Sequence, residues 1–220
     1  MRALVIGASG GIGAALAATL EARGAEVTGL SRSRDGLDVT DEGSIVAALA
    51  PLSPPYDTVL VATGALTIGA QGPEKTLRAL DPAALAAQFA LNAAGPALVL
   101  KHALRLMPRD APCRFAALSA RVGSIGDNGL GGWYAYRAAK AALNQLIHTA
   151  AIEVARTHRQ AVVVTLHPGT VETNLGPQYR AGHPSITPAQ SAAALIDVLG
   201  ALTPADTGGF FDWKGARIPW

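Results

Sequence analysis

The stretch YAYRAAKAALN, from Tyr134 to Asn144, puts a phenol at Tyr136 and an ammonium at Lys140. Four residues of an α-helix advance about 400°, so both side chains share one face, about 6 Å apart along the axis. A free tyrosine titrates near pH 10, and bringing it to about 7 takes roughly 4 kcal/mol of preferential phenolate stabilisation. A lysine cation in a partly desolvated cleft supplies several kcal/mol of that. Such a phenol can hand a proton to a carbonyl oxygen as hydride arrives, or take one back in reverse. Tyr136 and Lys140 therefore read as an acid/base pair. Tyr134 has no lysine at the same interval and reads as packing or pocket wall.

A second group of residues suits an anion. IGASGGIGAAL sets Gly7, Gly11 and Gly13, with Ser9, Gly10 and Ile12 between them, where a first strand turns into a first helix. Glycines there permit a tight turn and let a pyrophosphate approach the free N–H groups and positive dipole end of the helix. The second strand ends Leu30-Ser31-Arg32-Ser33-Arg34, with no carboxylate before Asp35 to take a ribose 2′-hydroxyl. Arg32 offers a planar cationic fork for a 2′-phosphate, and Ser31 can add a hydroxyl. The expected cofactor is NADP rather than NAD.

What must position these residues is an alternation of element types. Residues 3–7, 25–30, 57–63, 113–119, 161–169 and 208–213 read as strands. Residues 11–24, 41–50, 81–107, 133–157 and 187–202 read as helices. Asp81 caps one with Pro82 behind it, Gly95-Pro96 should kink it, and Thr187-Pro188 opens the last. Strands that are continuous apolar runs predict a parallel sheet covered on both faces. The expected architecture is α/β: a three-layer Rossmann fold with a doubly wound, mostly parallel sheet. Chemistry then belongs at the strands' carboxyl ends, after residues 7, 30, 63, 119 and 167.

The bulk numbers narrow the classes. With 220 residues the chain reads as one domain, 1–220; it is 50% hydrophobic and 15% charged, which excludes disorder. A net charge of +2 without a basic block gives no sign of nucleic acid or an anionic membrane. The lone Cys113 rules out an intrachain disulfide and fits a reducing, cytoplasmic setting. No apolar run reaches the length of a bilayer span, and MRALVIGASGGIG reads as strand and turn rather than as a signal. His102, His148 and His158 lack metal spacing, His167 reads as structural, and no Cys/His cluster implies a metal. The absence of a Gly-x-Ser-x-Gly elbow excludes that hydrolase class.

The Gly-x3-Gly-x-Gly spacing, LSRS, DVTD (38–41), ATG (62–64), LNAAGP around Asn92, Tyr136-x3-Lys140 and HPGTVET (167–173) together resemble the short-chain dehydrogenase/reductase family across essentially the entire chain. The tail GGFFDWKGARIPW is similar to the branch of C-factor-type proteins. The resemblance implies that Asp38 and Val39 flank an adenine, that Ala62, Thr63 and Gly64 line the adenosine ribose side, and that Thr173 reaches the pyrophosphate or nicotinamide amide. Pro168, Gly169 and Val171 belong to the same cofactor motif. It implies that Lys140 bonds the nicotinamide ribose beside Tyr136, and that Asn92 holds a water relaying protons to the lysine. Ile6 departs from the family's usual Thr or Ser before the first glycine.

The family also uses a serine after the fifth strand to hold the substrate carbonyl. Aligning Gly123 with the family's glycine puts Ala120 in that place. Ser119 is one residue early and on the opposite face of a regular strand. Ser124 stands twelve residues before Tyr136. Either serine can serve, and Asn128 or a backbone N–H can stand in. Residues Leu175 to Ile186 form a short expected lid, and Trp133, Tyr134, Leu175 and Tyr179 are expected pocket walls. The implied activity is NADP-dependent hydride transfer between a small carbonyl compound and its alcohol, in a homodimer or homotetramer packed through helices 82–107 and 133–157. The alternative is a regulatory or signalling NADP-binding protein with little turnover.

Overall fold

The computed structural model describes residues 1–69, 72–173 and 184–220. Strand β1 (Arg2–Ile6) runs into the glycine turn and α1 (Gly11–Ala22), which stops at Arg23 before Gly24 with φ 82°. After β2 (Glu26–Leu30) comes α2 (Arg32–Asp35), a single turn capped by Ser31, whose Oγ accepts the Arg34 N–H at 3.3 Å. Asp41 caps α3 (Glu42–Leu49) by accepting the Gly43 N–H at 2.9 Å. Then follow β3 (Thr58–Val61) and α4 (Pro82–Phe89), capped by Asp81, whose Oδ1 accepts the Ala84 N–H at 2.8 Å.

The helix does not simply kink at Gly95-Pro96. It widens one turn earlier, as a π-helical turn at Ala90–Ala94, before α5 (Gly95–Ala103). Pro96 has no N–H for the carbonyl of Asn92, so the regular ladder is interrupted there. The helical run Pro82–Leu106 spans 25 residues, and its most apolar window has a mean hydropathy of 1.5. By length and composition it could cross a bilayer, which corrects the expectation that no segment reaches that length. In the fold it packs Val99, Leu100, Ala103 and Leu106 into the core.

The chain continues through β4 (Cys113–Leu118), α6 (Tyr134–Val154) and β5 (Ala161–His167). It closes with α7 (Pro188–Ala201), opened by a Thr187/Gln190 capping box, and β6 (Phe210–Asp212). The six strands form one sheet in the order β2-β1-β3-β4-β5-β6, every pair parallel. Alternate residues feed opposite cores. Leu4, Ile6, Val59, Val61, Phe115 and Val163 meet α3, α5 and α6. Ala3, Val5, Leu60, Ala116, Val162 and Val164 meet α1 and α7. The chain leaves β1 toward β2 on one side and returns to β3 on the other. That reversal opens a crevice beyond the carboxyl ends of β1 and β3.

Candidate active site

The crevice begins at the glycine turn. Gly7 (φ 90°) gives its N–H to the Leu30 carbonyl at 2.8 Å. A Cβ on Gly13 would run into the Gly7 carbonyl, so α1 can lie this close to β1 only with glycine at 13. Around the turn lies a cavity of about 480 Å³ lined by Gly7, Ser9, Gly10, Arg32, Asp38 and Val39. A second, of about 560 Å³, is lined by Gly11, Ile12, Ser119, Tyr136, Lys140 and Thr173. Ser9, Gly10, Ala62, Thr63 and Gly64 wall both, which makes them one trough. Pro168 and Gly169 border its second half. Val171 does not; it is buried and bridges to Ile186.

At the end of β2, Ser31 is occupied locally. Its N–H donates to the Asp35 carboxylate at 2.7 Å and its hydroxyl lies 3.3 Å from the same oxygen. Asp35 is thus folded back onto Ser31, while no salt bridge among the described residues takes up Arg32. The Asp38 carboxylate accepts from the Thr40 hydroxyl at 2.7 Å and from its N–H at 2.9 Å, bonds that hold its pKa below the ordinary value. Thr63 Oγ1 is buried in the trough wall with no protein partner.

Tyr136 and Lys140 stand one turn apart at the start of α6 and are 7% and 3% exposed. Lys140 Nζ lies 5.8 Å from the Tyr136 ring centre and donates to the Leu118 carbonyl at 2.9 Å. Burial raises the phenol's pKa above its ordinary value and lowers the ammonium's to about 7. Desolvation acts against charge on both groups. The hydroxyl stays protonated at neutral pH, ready to donate.

Asn92 sits in the π-helical turn, fully buried. Its Oδ1 accepts the Ala65 N–H at 3.2 Å, and its Nδ2 donates to the Ala65 carbonyl at 2.9 Å and to Gln88 Oε1 at 2.6 Å. Gln88 Nε2 in turn donates to the Leu66 carbonyl at 2.9 Å. The side chain is thus engaged in clasping the segment after β3. Gly64 makes the clasp possible, since a Cβ there would meet Asn92 Oδ1 at 2.7 Å and Lys140 Nζ at 3.4 Å.

The two serines part company. Strand β4 ends at Leu118, and Ser119 is among the residues that line the cavity with Tyr136 and Lys140. Its Oγ is buried and has no hydrogen-bond partner. Ala120 lines the same cavity. Ser124 does not; its Oγ accepts the Asp127 N–H at 3.1 Å and closes a turn. Asn128 is exposed and accepts the Gly131 N–H at 3.1 Å. His167 lines the cavity and is pushed by burial down to about 4, so it is neutral at physiological pH.

Trp133 packs edge-on against Tyr136, ring centres 6.4 Å apart. Leu175, Tyr179 and most of the expected lid lie outside the described residues. Sequence reasoning missed three supports. Gln88 is one turn before Asn92, a spacing that could have been read. Arg121, bridging Asp127 at 3.1 Å and Asp212 at 3.0 Å, ties the loop after β4 to β6. Glu74 accepts the Ala135 N–H from 61 residues away, with no local signal.

With the geometry in hand, comparisons with known proteins are specific. A model of the short chain dehydrogenase family matches residues 1–183. The C-signal protein of Myxococcus xanthus is 36% identical over 142 residues, 64% of this chain and 81% of that protein. The 1-hydroxy-2-glutathionyl-2-methyl-3-butene dehydrogenase of Rhodococcus sp. (strain AD45) is 32% identical over 232 residues, covering 99% of this chain and 98% of that one. A short-chain dehydrogenase/reductase of Burkholderia multivorans, solved with bound NADP, superposes with a TM-score of 0.81 at 26% identity, covering 100% and 99% of the two chains.

Proposed function

The chain belongs to the short-chain dehydrogenase/reductase family, oxidoreductases of CH–OH and C=O groups, and on that footing we propose that it reduces a ketone or aldehyde to the alcohol with NADPH. The observation that carries this reading is the shared wall. Tyr136 and Lys140 line a cavity that runs on into the trough around the glycine turn.

The trough suits the cofactor on its own evidence. The N-terminus of α1 offers free N–H groups to a pyrophosphate, and buried Thr63 Oγ1 awaits a partner. Arg32 lines the adenosine end without a salt bridge and is the group to hold a 2′-phosphate, in keeping with the NADP bound in the Burkholderia relative. When bound, the cofactor supplies the hydride. Tyr136 gives its hydroxyl proton to the carbonyl oxygen, which Ser119 Oγ holds by hydrogen bonding. Lys140 offsets the charge left on the phenolate, and the Asn92–Gln88 clasp fixes the floor beneath it. Ala120 and the likeness to a protein called C-signal favour a second reading, a signalling protein that binds NADP and turns over little.

The test follows NADPH and NADH consumption over a broad panel of ketones and aldehydes for wild type, Tyr136→Phe and Arg32→Ala. The first substitution should cut kcat by about 10³-fold with NADPH binding kept, the middle of the range for acid–base catalysis. The second should weaken NADPH about tenfold and NADH little, the loss of one charge-assisted contact. Tight NADPH binding with no turnover of any compound would establish the signalling reading instead.

A further inference from the structure

Tyr136 also borders another cavity, of about 280 Å³, which the trough does not include. Its lining is apolar at Leu66, Ala84, Ala87 and Ala135, and carries the carboxylate of Glu74. Glu74 is 9% exposed, and what holds a charge at such a place is visible. Helix α6 has no cap of its own: Trp133, at its N-cap, is left-handed (φ 53°) and makes no side-chain cap bond. Glu74 does that work from another segment. Its backbone carbonyl accepts the Trp133 N–H and its Oε2 accepts the Ala135 N–H at 3.2 Å. The positive end of α6 further favours the anion.

Only one carboxylate oxygen is used. Among the described residues no hydrogen bond reaches Glu74 Oε1. Among the described residues lining the cavity, Asp81 caps α4 through Oδ1 and both ends of the Gln88 amide serve the clasp. Among the described residues no lysine, arginine or histidine lines it. A carboxylate can only accept, so Oε1 is open to a donor.

We propose that this cavity is the substrate's specificity subsite, and that Glu74 selects small carbonyl compounds whose substituent carries an ammonium group over those carrying a carboxylate. The inference rests on the reductase reading for the reacting group, since Tyr136 is the wall the subsite shares with the catalytic cavity. A substituent entering here puts its ammonium on Oε1 and its methylenes against the alanines, while the carbonyl end stays at Tyr136.

The experiment measures binding of an isosteric alcohol series to the protein–NADP complex by calorimetry: an amino alcohol, its alkyl analogue and its hydroxy-acid analogue. Wild type should bind the amino alcohol at least tenfold tighter than the alkyl one, and the hydroxy acid weakest. Glu74→Gln keeps an amide oxygen for the Ala135 N–H but removes the charge, and should bring the amino and alkyl affinities within about twofold. Should Glu74→Gln fail to fold, Ala87→Leu fills the cavity and should weaken the amino alcohol at least tenfold. The proposal is overturned if wild type shows no amino preference, if Glu74→Gln leaves the ratio at its wild-type value, or if Ala87→Leu leaves the affinity unchanged. Turnover of the matching ketones is scored separately. Glu74-dependent binding without turnover sinks the reductase reading and keeps the subsite; turnover without Glu74 dependence does the reverse.

Discussion

At the glycine turn the cleft is shaped by the main chain of one short segment, Gly7 to Gly13, fitted closely against Ala62, Thr63 and Thr173, and that shape follows from sterics. Around Tyr136 the same cleft is held by side chains reaching across the fold. Lys140 bonds Leu118 from 22 residues away, Glu74 bonds Ala135 from 61, and Arg121 pairs with Asp212 from 91. The first region tolerates almost no change at one or two positions, because main chain at Gly7 and Ala62 already fills the space beside its glycines. The second distributes its geometry over many bonds, each of modest worth, so single losses there should alter function before they alter folding.

The sharpest way to break that contrast is Gly13→Ala. A methyl would collide with the Gly7 carbonyl, a backbone atom that cannot rotate away. The expected cost is about 3 kcal/mol of stability, the upper range for overpacking, with NADPH affinity down by about 100-fold. Gly24→Ala, with nothing within 4 Å of the new atom but φ at 82°, should cost about 1 kcal/mol and leave NADPH binding alone. Denaturant titration and cofactor titration check both. Equal effects at the two glycines would mean that close approach is not what glycine 13 provides.

On the other side, Ser119→Ala and Ser124→Ala separate chemistry from support. Ser119 Oγ has no partner to lose, so its removal should leave stability unchanged or slightly higher and cut kcat/KM by about 100-fold, the lower end for a lost oxyanion donor. Ser124→Ala forfeits the bond from the Asp127 N–H, about 1 kcal/mol of stability, with kcat/KM within about twofold. The opposite pattern would transfer the carbonyl-holding role to Ser124.

The same contrast explains what the sequence made legible. The glycine turn and Tyr136-x3-Lys140 are local patterns whose spacing already fixes their geometry, and the strand–helix alternation gave the parallel sheet. Which of Ser119 and Ser124 joins Tyr136 and Lys140 in one cavity was not legible, because it depends on the turn that Ser124 closes with Asp127. The missing N–H of Pro96 marked a distortion, but not that the preceding turn would absorb it and carry Asn92 into the clasp. Glu74 left no trace, since its partner is 61 residues on. Spacing shows a neighbouring charge and not the loss of water around both groups, so the push of burial on the phenol and the ammonium left no trace.

That last point gives an effect spread over a pH range rather than set by one substitution. Lys140 titrates near 7 in the folded chain and near 10.5 when free, so between those values the unfolded state binds more protons than the folded one. Stability must then rise with pH across that window, by at most about 1.4 kcal/mol per unit from this one group. Above about 10 the trend reverses, because the unfolded phenol ionises while buried Tyr136 resists it. Lys140→Met should flatten the rise between pH 7 and 9 in thermal melts. Turnover should move the other way. As Lys140 loses its charge above pH 7, the phenolate left by proton transfer loses its counter-charge, and kcat should decline by less than tenfold per unit. The buried pair would thus trade folding against catalysis over one pH range, whereas the glycine turn carries no titrating group and should contribute to neither slope. A wild-type melting profile flat from pH 7 to 9 would show that Lys140 is not stripped of water to the degree its burial implies.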